Sequence, residues 1–141
     1  MLSSIVVGTD GSDSAEVAVQ QAAELARRFD AELHIVCVHT PIEVTAMAAA
    51  PMATTWDIGP DVIGEEALAR AGSLAENTSF RTHLFTGDPA DAILQVAEDE
   101  GADLIVVGSK GMRGARRFLL GSVPNKLSHH AACGVYIVRT G

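Results

Sequence analysis

The chain has 141 residues, a formal net charge of −8 and a pI near 4.9. Apolar residues make up 48% of the sequence and aromatic residues only 4%, so the core must consist mainly of Ala, Val, Ile and Leu side chains. This length supports one domain, which we expect to span residues 1–141, and the acidic balance argues against binding to nucleic acids or anionic membranes.

Short apolar runs alternate with helical patterns along the chain. The apolar runs cover residues 4–8, 33–38, 80–85, 104–107 and 135–138, and their lack of polar alternation is typical of buried parallel strands. Helical spacing of apolar residues covers 13–29, 65–77, 88–101 and 123–132. Five strands and four helices in this order predict a doubly wound α/β sheet.

Local signals predict where these helices begin and end. Asp13 and Glu16 resemble a capping pair at the start of the first helix. Gly72 interrupts the second, and the third opens at Asp88 and ends at Gly101. Residues 41–61, rich in alanine and proline, indicate an irregular excursion in which Trp56 serves as a loop anchor or a dimer contact.

Cysteine and histidine positions argue against a metal site. Cys37 and Cys133 lie in apolar runs without a CxxC spacing, so we interpret both as reduced core thiols. His34, His39 and His83 are scattered without a carboxylate or cysteine at ligand spacing. Adjacent helical residues point in different directions, so for the pair His129-His130 we expect one surface and one packed side chain. Without a signal segment or a long apolar span, a soluble cytoplasmic protein is expected.

A glycine-rich stretch follows the fourth predicted strand. Gly108, Gly111 and the pair Gly121-Ser122 lie between that strand and the last helix. Glycines allow a close approach of the main chain to a ligand, and a helix N-terminus presents free N–H groups and a positive dipole end. The sequence therefore predicts an anion site, and a phosphate chain is the anion that it favours.

The charge distribution supports this prediction independently. Residues 1–108 contain all eighteen carboxylates and four basic residues, a formal charge of −14. Residues 109–141 contain no acid and six cations: Lys110, Arg113, Arg116, Arg117, Lys126 and Arg139. A stretch of solvated loop cations would normally include acids, so we favour the anion site. Arg116 and Arg117 either reach the phosphates or lie in solvent.

Ligands of doubly wound folds bind at the carboxyl ends of the strands, where the strand order reverses. Gly8, Thr9 and Asp10 follow the first predicted strand, and Gly108 follows the fourth. A switch point between these two strands would bring both loops to one crevice.

With these motifs in view, the chain resembles the universal stress protein family over nearly its whole length. The resemblance rests on three marks: residues 5–12 (IVVGTDGS), residues 87–89 (GDP), and the pattern Gly-x2-Gly-x9-Gly-Ser formed by Gly108, Gly111, Gly121 and Ser122. In this family the last pattern distinguishes ATP-binding members. The resemblance implies a Rossmann-like fold with strand order 3-2-1-4-5, and a homodimer formed through residues 135–139.

The resemblance also implies the residues of an ATP site. Thr9 and Asp10 would flank the adenosine, and the main chain of Val38 would meet the adenine. The phosphates would be held by Gly108, Lys110, Gly111, Arg113, Gly121, Ser122 and Val123. Pro124 has no N–H to contribute. A divalent ion, Mg²⁺ or Mn²⁺, would accompany the phosphates, with Ser122 as the protein side chain near it.

Three functions are compatible with these residues. The first is an ATP-binding stress-response regulator with at most slow hydrolysis, because no general base is evident in the phosphate loops. A cyclic AMP-binding protein is a variant of it. The second is an enzyme that adenylates its substrate, although neither a Ser-Gly-Gly-x-Asp-Ser loop nor a His-x-Gly-His motif is present. The third is a dimeric interaction protein without a nucleotide.

Overall fold

The structure is a computed structural model that describes residues 1–39, 60–109 and 122–139. Its strands are β1 (Ser4–Thr9), β2 (Glu32–His39), β3 (Phe80–Thr86), β4 (Leu104–Gly108) and β5 (Gly134–Val138). Its helices are α1 (Asp13–Phe29), α2 (Pro60–Leu74), α3 (Pro89–Asp99) and α4 (Ser122–His130). The strands form one parallel sheet in the order β3-β2-β1-β4-β5, which confirms the predicted doubly wound α/β fold.

Helices cover both faces of the sheet and bury a separate apolar cluster on each. Alternate residues of β1 point to opposite faces, so Ile5 and Val7 pack with α1 and α2 while Val6 packs with α3 and α4. Alanines dominate the buried stripe of α1: Ala15, Ala18, Ala22, Ala23 and Ala26. Such small side chains let the helix lie close to the sheet, as the low aromatic content predicts. No helix within the described ranges is long and apolar enough to cross a membrane.

The predicted ends of α3 are confirmed in detail. The Asp88 carboxylate accepts the main-chain N–H of Asp91 at 3.0 Å and caps the first turn. At the other end Gly101 has φ of 59°, and the N–H groups of Gly101 and Ala102 donate to the carbonyls of Glu98 and Ala97. This pair of bonds is a Schellman motif, which requires a left-handed residue after the helix.

Two predictions about α1 and α2 are wrong. The cap of α1 is not formed by Asp13 and Glu16: the hydroxyl of Ser12 accepts the N–H of Ala15 at 3.2 Å. Helix α2 spans Pro60–Leu74 without a break at Gly72. A Cβ at that glycine would lie 3.2 Å from the ring of Phe80, so the missing side chain provides room for the ring instead of interrupting the helix.

Two further predictions fail on burial. His129 and His130 are both exposed, and α4 ends at His130 instead of continuing to residue 132. Cys37 is buried as expected, but Cys133 is only half-buried. Burial nevertheless raises the pKa of the Cys133 thiol, so it is largely protonated and unreactive near neutral pH. Trp56 lies outside the described residues.

Candidate functional site

A cleft opens where β1 and β4 end, at the point where the strand order reverses. Its walls come from both strand ends, from the start of α1 and from the start of α4, and they consist of Gly8, Asp10, Ser14, Ala15, Val107, Gly108, Val123 and Pro124. The predicted convergence of the two loops is thereby confirmed. The enclosed part measures only about 20 Å³. A ligand much larger than a water molecule would therefore lie mostly along the open mouth of the cleft.

The turn after β1 is held by its own side chains. The Thr9 hydroxyl accepts the N–H of Gly11 at 3.1 Å, and the Asp10 carboxylate accepts the N–H of Ser12 at 2.9 Å. Gly11 has φ of 81°, a conformation that favours glycine. This network fixes the position of the Asp10 carboxylate on the wall of the cleft.

Glycines at the two strand ends allow tight packing on both sides of the cleft. A Cβ on Gly108 would lie 3.0 Å from the hydroxyl oxygen of Ser14 and 3.4 Å from its carbonyl oxygen. A Cβ on Gly8 would lie 2.7 Å from the Cδ1 atom of Ile93. Each glycine therefore lets a helix approach the strand end closely: α1 at Gly108 and α3 at Gly8.

The start of α4 differs electrostatically from the starts of α1 and α3. Acidic residues occupy the first turns of α1 (Asp13 and Glu16) and α3 (Asp91), where they offset the positive dipole end. The first turn of α4 contains no acid. Its residues Val123 and Pro124 line the cleft, so the positive end of the helix lies there without an acid in its own first turn.

Lys126 is engaged with carboxylates near this helix start. Its ammonium lies 2.8 Å from the Asp91 carboxylate and 3.2 Å from the Asp88 carboxylate, so it joins α4 to α3. Hydrogen bonds to these two groups raise the pKa of Lys126. The pKa of Asp88 is lowered, first by the N–H of Asp91 and then, with burial acting in the opposite direction, by Lys126. This cation therefore balances local acids.

The structure brings together part of the predicted site. Asp10, Gly108 and Val123 line one cleft. Thr9 is completely buried next to Asp10. Val38 is buried near the carboxyl end of β2, which lies beside the carboxyl end of β1. Ser122 is exposed as the first residue of α4. Four predicted phosphate ligands lie outside the described residues: Lys110, Gly111, Arg113 and Gly121.

Sequence analysis missed a second polar cluster, which lies at the amino ends of the strands. His34, which was expected to have no carboxylate nearby, contacts Glu32, Glu100 and His83. The spacing of Glu32 and His34, two residues apart on one strand, places both on one face and was the available signal. Glu100 and His83 come from distant parts of the chain, so their approach requires the fold.

A doubly wound sheet with a cleft at its switch point defines a class of α/β proteins that bind ligands between the ends of two strands. The sequence model of the Universal stress protein family matches residues 1–139, and this chain belongs to that family.

Three similar proteins support this assignment. Universal stress protein MJ0531 of Methanocaldococcus jannaschii is 35% identical over 140 residues, which cover 96% of this chain and 81% of that protein. Universal stress protein Rv1636 of Mycobacterium tuberculosis is 38% identical over 146 residues, with coverage of 96% and 95%. A crystal structure of a universal stress protein in complex with cAMP matches with a TM-score of 0.70 and 33% identity, and covers 99% of this chain and 98% of that one.

Proposed function

We propose that the cleft between β1 and β4 binds an adenine nucleotide, with ATP and its divalent ion as the preferred ligand, and that the bound nucleotide regulates the protein in a stress response. One observation carries the proposal: the glycine end of β4 faces the acid-free start of α4 across a cleft. Main-chain N–H groups and a positive helix end are suited to phosphate oxygens. A cytoplasmic location, where such nucleotides occur, is part of the proposal.

The residues present fit this ligand. Gly8 and Gly108 both line the cleft, so main-chain groups at the ends of β1 and β4 are close to a ligand bound there. Asp10 stands on the opposite wall at the end of β1, where a ribose hydroxyl could donate to its carboxylate. Lys110 and Arg113, with Gly111 and Gly121, follow β4 in sequence, so we assign them to the phosphates with Ser122 and Val123. Thr9 and the main chain of Val38 remain our choices for the nucleoside.

Cyclic AMP is the second candidate ligand. The solved relative that is 33% identical to this chain was crystallised in complex with cAMP. Against it stand the four cations and no acid in residues 109–121, between β4 and α4, which favour a ligand with several phosphates. ATP carries more negative charge than cyclic AMP, so added salt should weaken the binding of ATP more than that of cyclic AMP.

We propose a binding protein rather than an enzyme. Rapid phosphoryl transfer needs a positioned nucleophile or a water-orienting group in addition to charge neutralisation. Among the described residues that line the cleft, Asp10 is the one carboxylate, and it already accepts the N–H of Ser12. A single-turnover rate constant of about 1 s⁻¹ or more would contradict this part of the proposal.

We further propose a homodimer formed through β5. Among the described strands β5 is at the edge of the sheet and pairs with β4 alone, so within this part of the chain one side of its main chain faces no other strand. Tyr136 is 38% exposed on it. Light scattering should give twice the chain mass for the wild type and a lower mass for Tyr136→Lys. An unchanged dimer in that variant would contradict the use of β5.

Mass spectrometry of the ligand released from purified protein tests the nucleotide directly. ATP or ADP supports the first proposal, cyclic AMP supports the second, and the absence of any nucleotide, with no heat on titration of either compound, refutes both. The variants Gly111→Val and Gly121→Val should remain folded and lose nucleotide retention. Gly134→Ala is a matched glycine control at the amino end of β5, away from the cleft, where the new Cβ makes only an ordinary contact at 3.5 Å with Leu104. Undiminished ATP affinity in both valine variants would contradict the assigned site.

A further inference from the structure

The cluster around His34 lies at the amino ends of the strands, opposite the cleft. Glu32 and His34 are the first and third residues of β2, and Glu100 directly follows α3. The His34 Nε2 atom lies 3.0 Å from a Glu32 carboxylate oxygen and 3.7 Å from a Glu100 carboxylate oxygen. One ligand atom from each of these three residues lies within 4.8 Å of the other two.

His34 is 1% exposed, and both of its ring nitrogens have partners. Its Nδ1 atom lies 3.1 Å from the Nε2 atom of His83. This distance places the Nε2 atom of His83 where it can accept a hydrogen bond from the Nδ1–H of His34. If the Nδ1–H of His34 donates to it, the Nε2 lone pair of His34 faces two carboxylates. A cation bound between the Nε2 lone pair and the two carboxylates would reduce the repulsion among these three groups.

The charges around the cluster also favour a cation. Glu100 follows the last turn of α3, which contains no basic residue, so its carboxylate lies near the negative end of the helix dipole. Arg81 is the basic residue paired with this cluster in the described chain, at 3.6 Å from the Glu32 carboxylate, and its side chain is 66% exposed. Its charge is therefore largely screened by solvent, and two carboxylates are left close together.

We propose that Glu32, His34 and Glu100 form a binding site for Zn²⁺. One imidazole nitrogen and two carboxylate oxygens are ligands that Zn²⁺ accepts, and two ligands about 2.0 Å from a tetrahedral ion are roughly 3.3 Å apart. The two observed separations from Nε2 lie on either side of that value. Both carboxylates are partly exposed, so water can complete the coordination. His83 is a positioning residue, because its contact with Nδ1 directs Nε2 of His34 toward the ion.

The bound ion would connect β2 to the end of α3, at the amino ends of the strands, whereas the nucleotide would lie at their carboxyl ends. The proposal is thus independent of the ligand of the cleft. In the other tautomeric arrangement the Nε2–H of His34 simply donates to Glu32, and the cluster is a buried hydrogen-bond network without a metal. Metal binding distinguishes the two arrangements.

Calorimetric titration of the chelator-treated protein with ZnCl₂ at pH 7.5 is the test. We expect one Zn²⁺ per chain with the wild type and at least a tenfold loss of affinity in Glu100→Gln and in His34→Gln. His83→Gln should lose roughly tenfold to a hundredfold, the usual effect of removing an outer partner. The control is His130→Gln, because His130 and Cys133 line a separate cavity of about 410 Å³ and are the kinds of side chain that zinc accepts.

Circular dichroism checks that each variant is folded. Glu100 is partly exposed, so Glu100→Gln keeps the test decisive even if the buried His34→Gln variant fails to fold. Zn²⁺ should also raise the melting temperature of the wild type more than that of Glu100→Gln at the same concentration. No binding to the wild type, unchanged affinity in Glu100→Gln, or a loss of affinity in His130→Gln instead would each overturn the proposal.

Discussion

Asp88 has two structural roles that substitution can separate. Its carboxylate caps α3 by accepting the N–H of Asp91, and it also contacts the ammonium of Lys126 on α4 at 3.2 Å. Replacement of a capping carboxylate by alanine usually costs about 1 kcal/mol of stability. The side chains of Asp88 and Lys126 are 48% and 41% exposed, so their ion pair should contribute much less than the cap.

The expected result is therefore different for two variants. Asp88→Ala removes both interactions and should lower the free energy of unfolding by about 1 kcal/mol, which moves the urea midpoint by roughly 0.5 M. Asp88→Asn loses the charge but keeps an acceptor for the N–H of Asp91, so it should lose less than half as much. Equilibrium urea unfolding at pH 7, followed by circular dichroism, measures both.

The pH dependence gives an independent check of the same assignment. The pKa of Asp88 is lower in the folded protein than its ordinary value near 3.8, so its contribution is complete above that value and is lost as the pH falls through the folded pKa. The difference between wild type and Asp88→Ala should thus shrink in strong acid. If Asp88→Asn were as destabilised as Asp88→Ala at pH 7, the ion pair would dominate and our reasoning would be refuted.

Three further predictions concern turns, core and charge. Asp30 has φ of 53° at the end of α1, so Asp30→Gly should raise the stability by up to about 1 kcal/mol. Gly101 has φ of 59° and open space where a Cβ would lie, so Gly101→Ala should lower the stability by about 1 kcal/mol. Effects of the same sign and size for both variants in urea unfolding would contradict the assigned strain. Leu127→Ala removes a fully buried side chain of α4 and should cost about 2–5 kcal/mol in the same assay, a value that a loss below 1 kcal/mol would contradict. The Asp103 carboxylate accepts the N–H groups of Ser3 and Ser4, which lower its pKa, so Asp103→Ala should be less stable than wild type at pH 7. This difference should begin to shrink as the pH falls below the ordinary pKa and should disappear below the lowered pKa of the folded protein, which thermal melts across pH would show.

The predictable parts of this protein depend on short-range patterns. The apolar run at residues 5–7 defines a buried strand because no polar side chain interrupts it, and the sheet places it between two strands as expected. Asp88 and Gly101 mark the ends of α3 because each interacts with main-chain groups a few residues away. Signals of this kind involve only residues that are close in the chain, so they can be recognised from the sequence.

The errors arise where several local partners or distant contacts compete. Ser12, Asp13 and Glu16 are all suited to the start of α1, and the turn held by Asp10 decides that Ser12 is the cap. Gly72 normally weakens a helix, but its position opposite Phe80 makes it part of the packing.

The order of apolar and helical segments by itself determined an alternating α/β protein, and the glycines after β4, with the cations that follow, led us to predict an anion site near Gly108. Hydrophobic periodicity and main-chain conformation are local properties, so they can be derived without coordinates. Only the tertiary structure decided that Glu32, His34, His83 and Glu100 meet, because two of them are separated from His34 by 49 and 66 positions in the chain. Their approach depends on the pairing of β2 with β3 and on the packing of α3 against the sheet, which bring distant residues together.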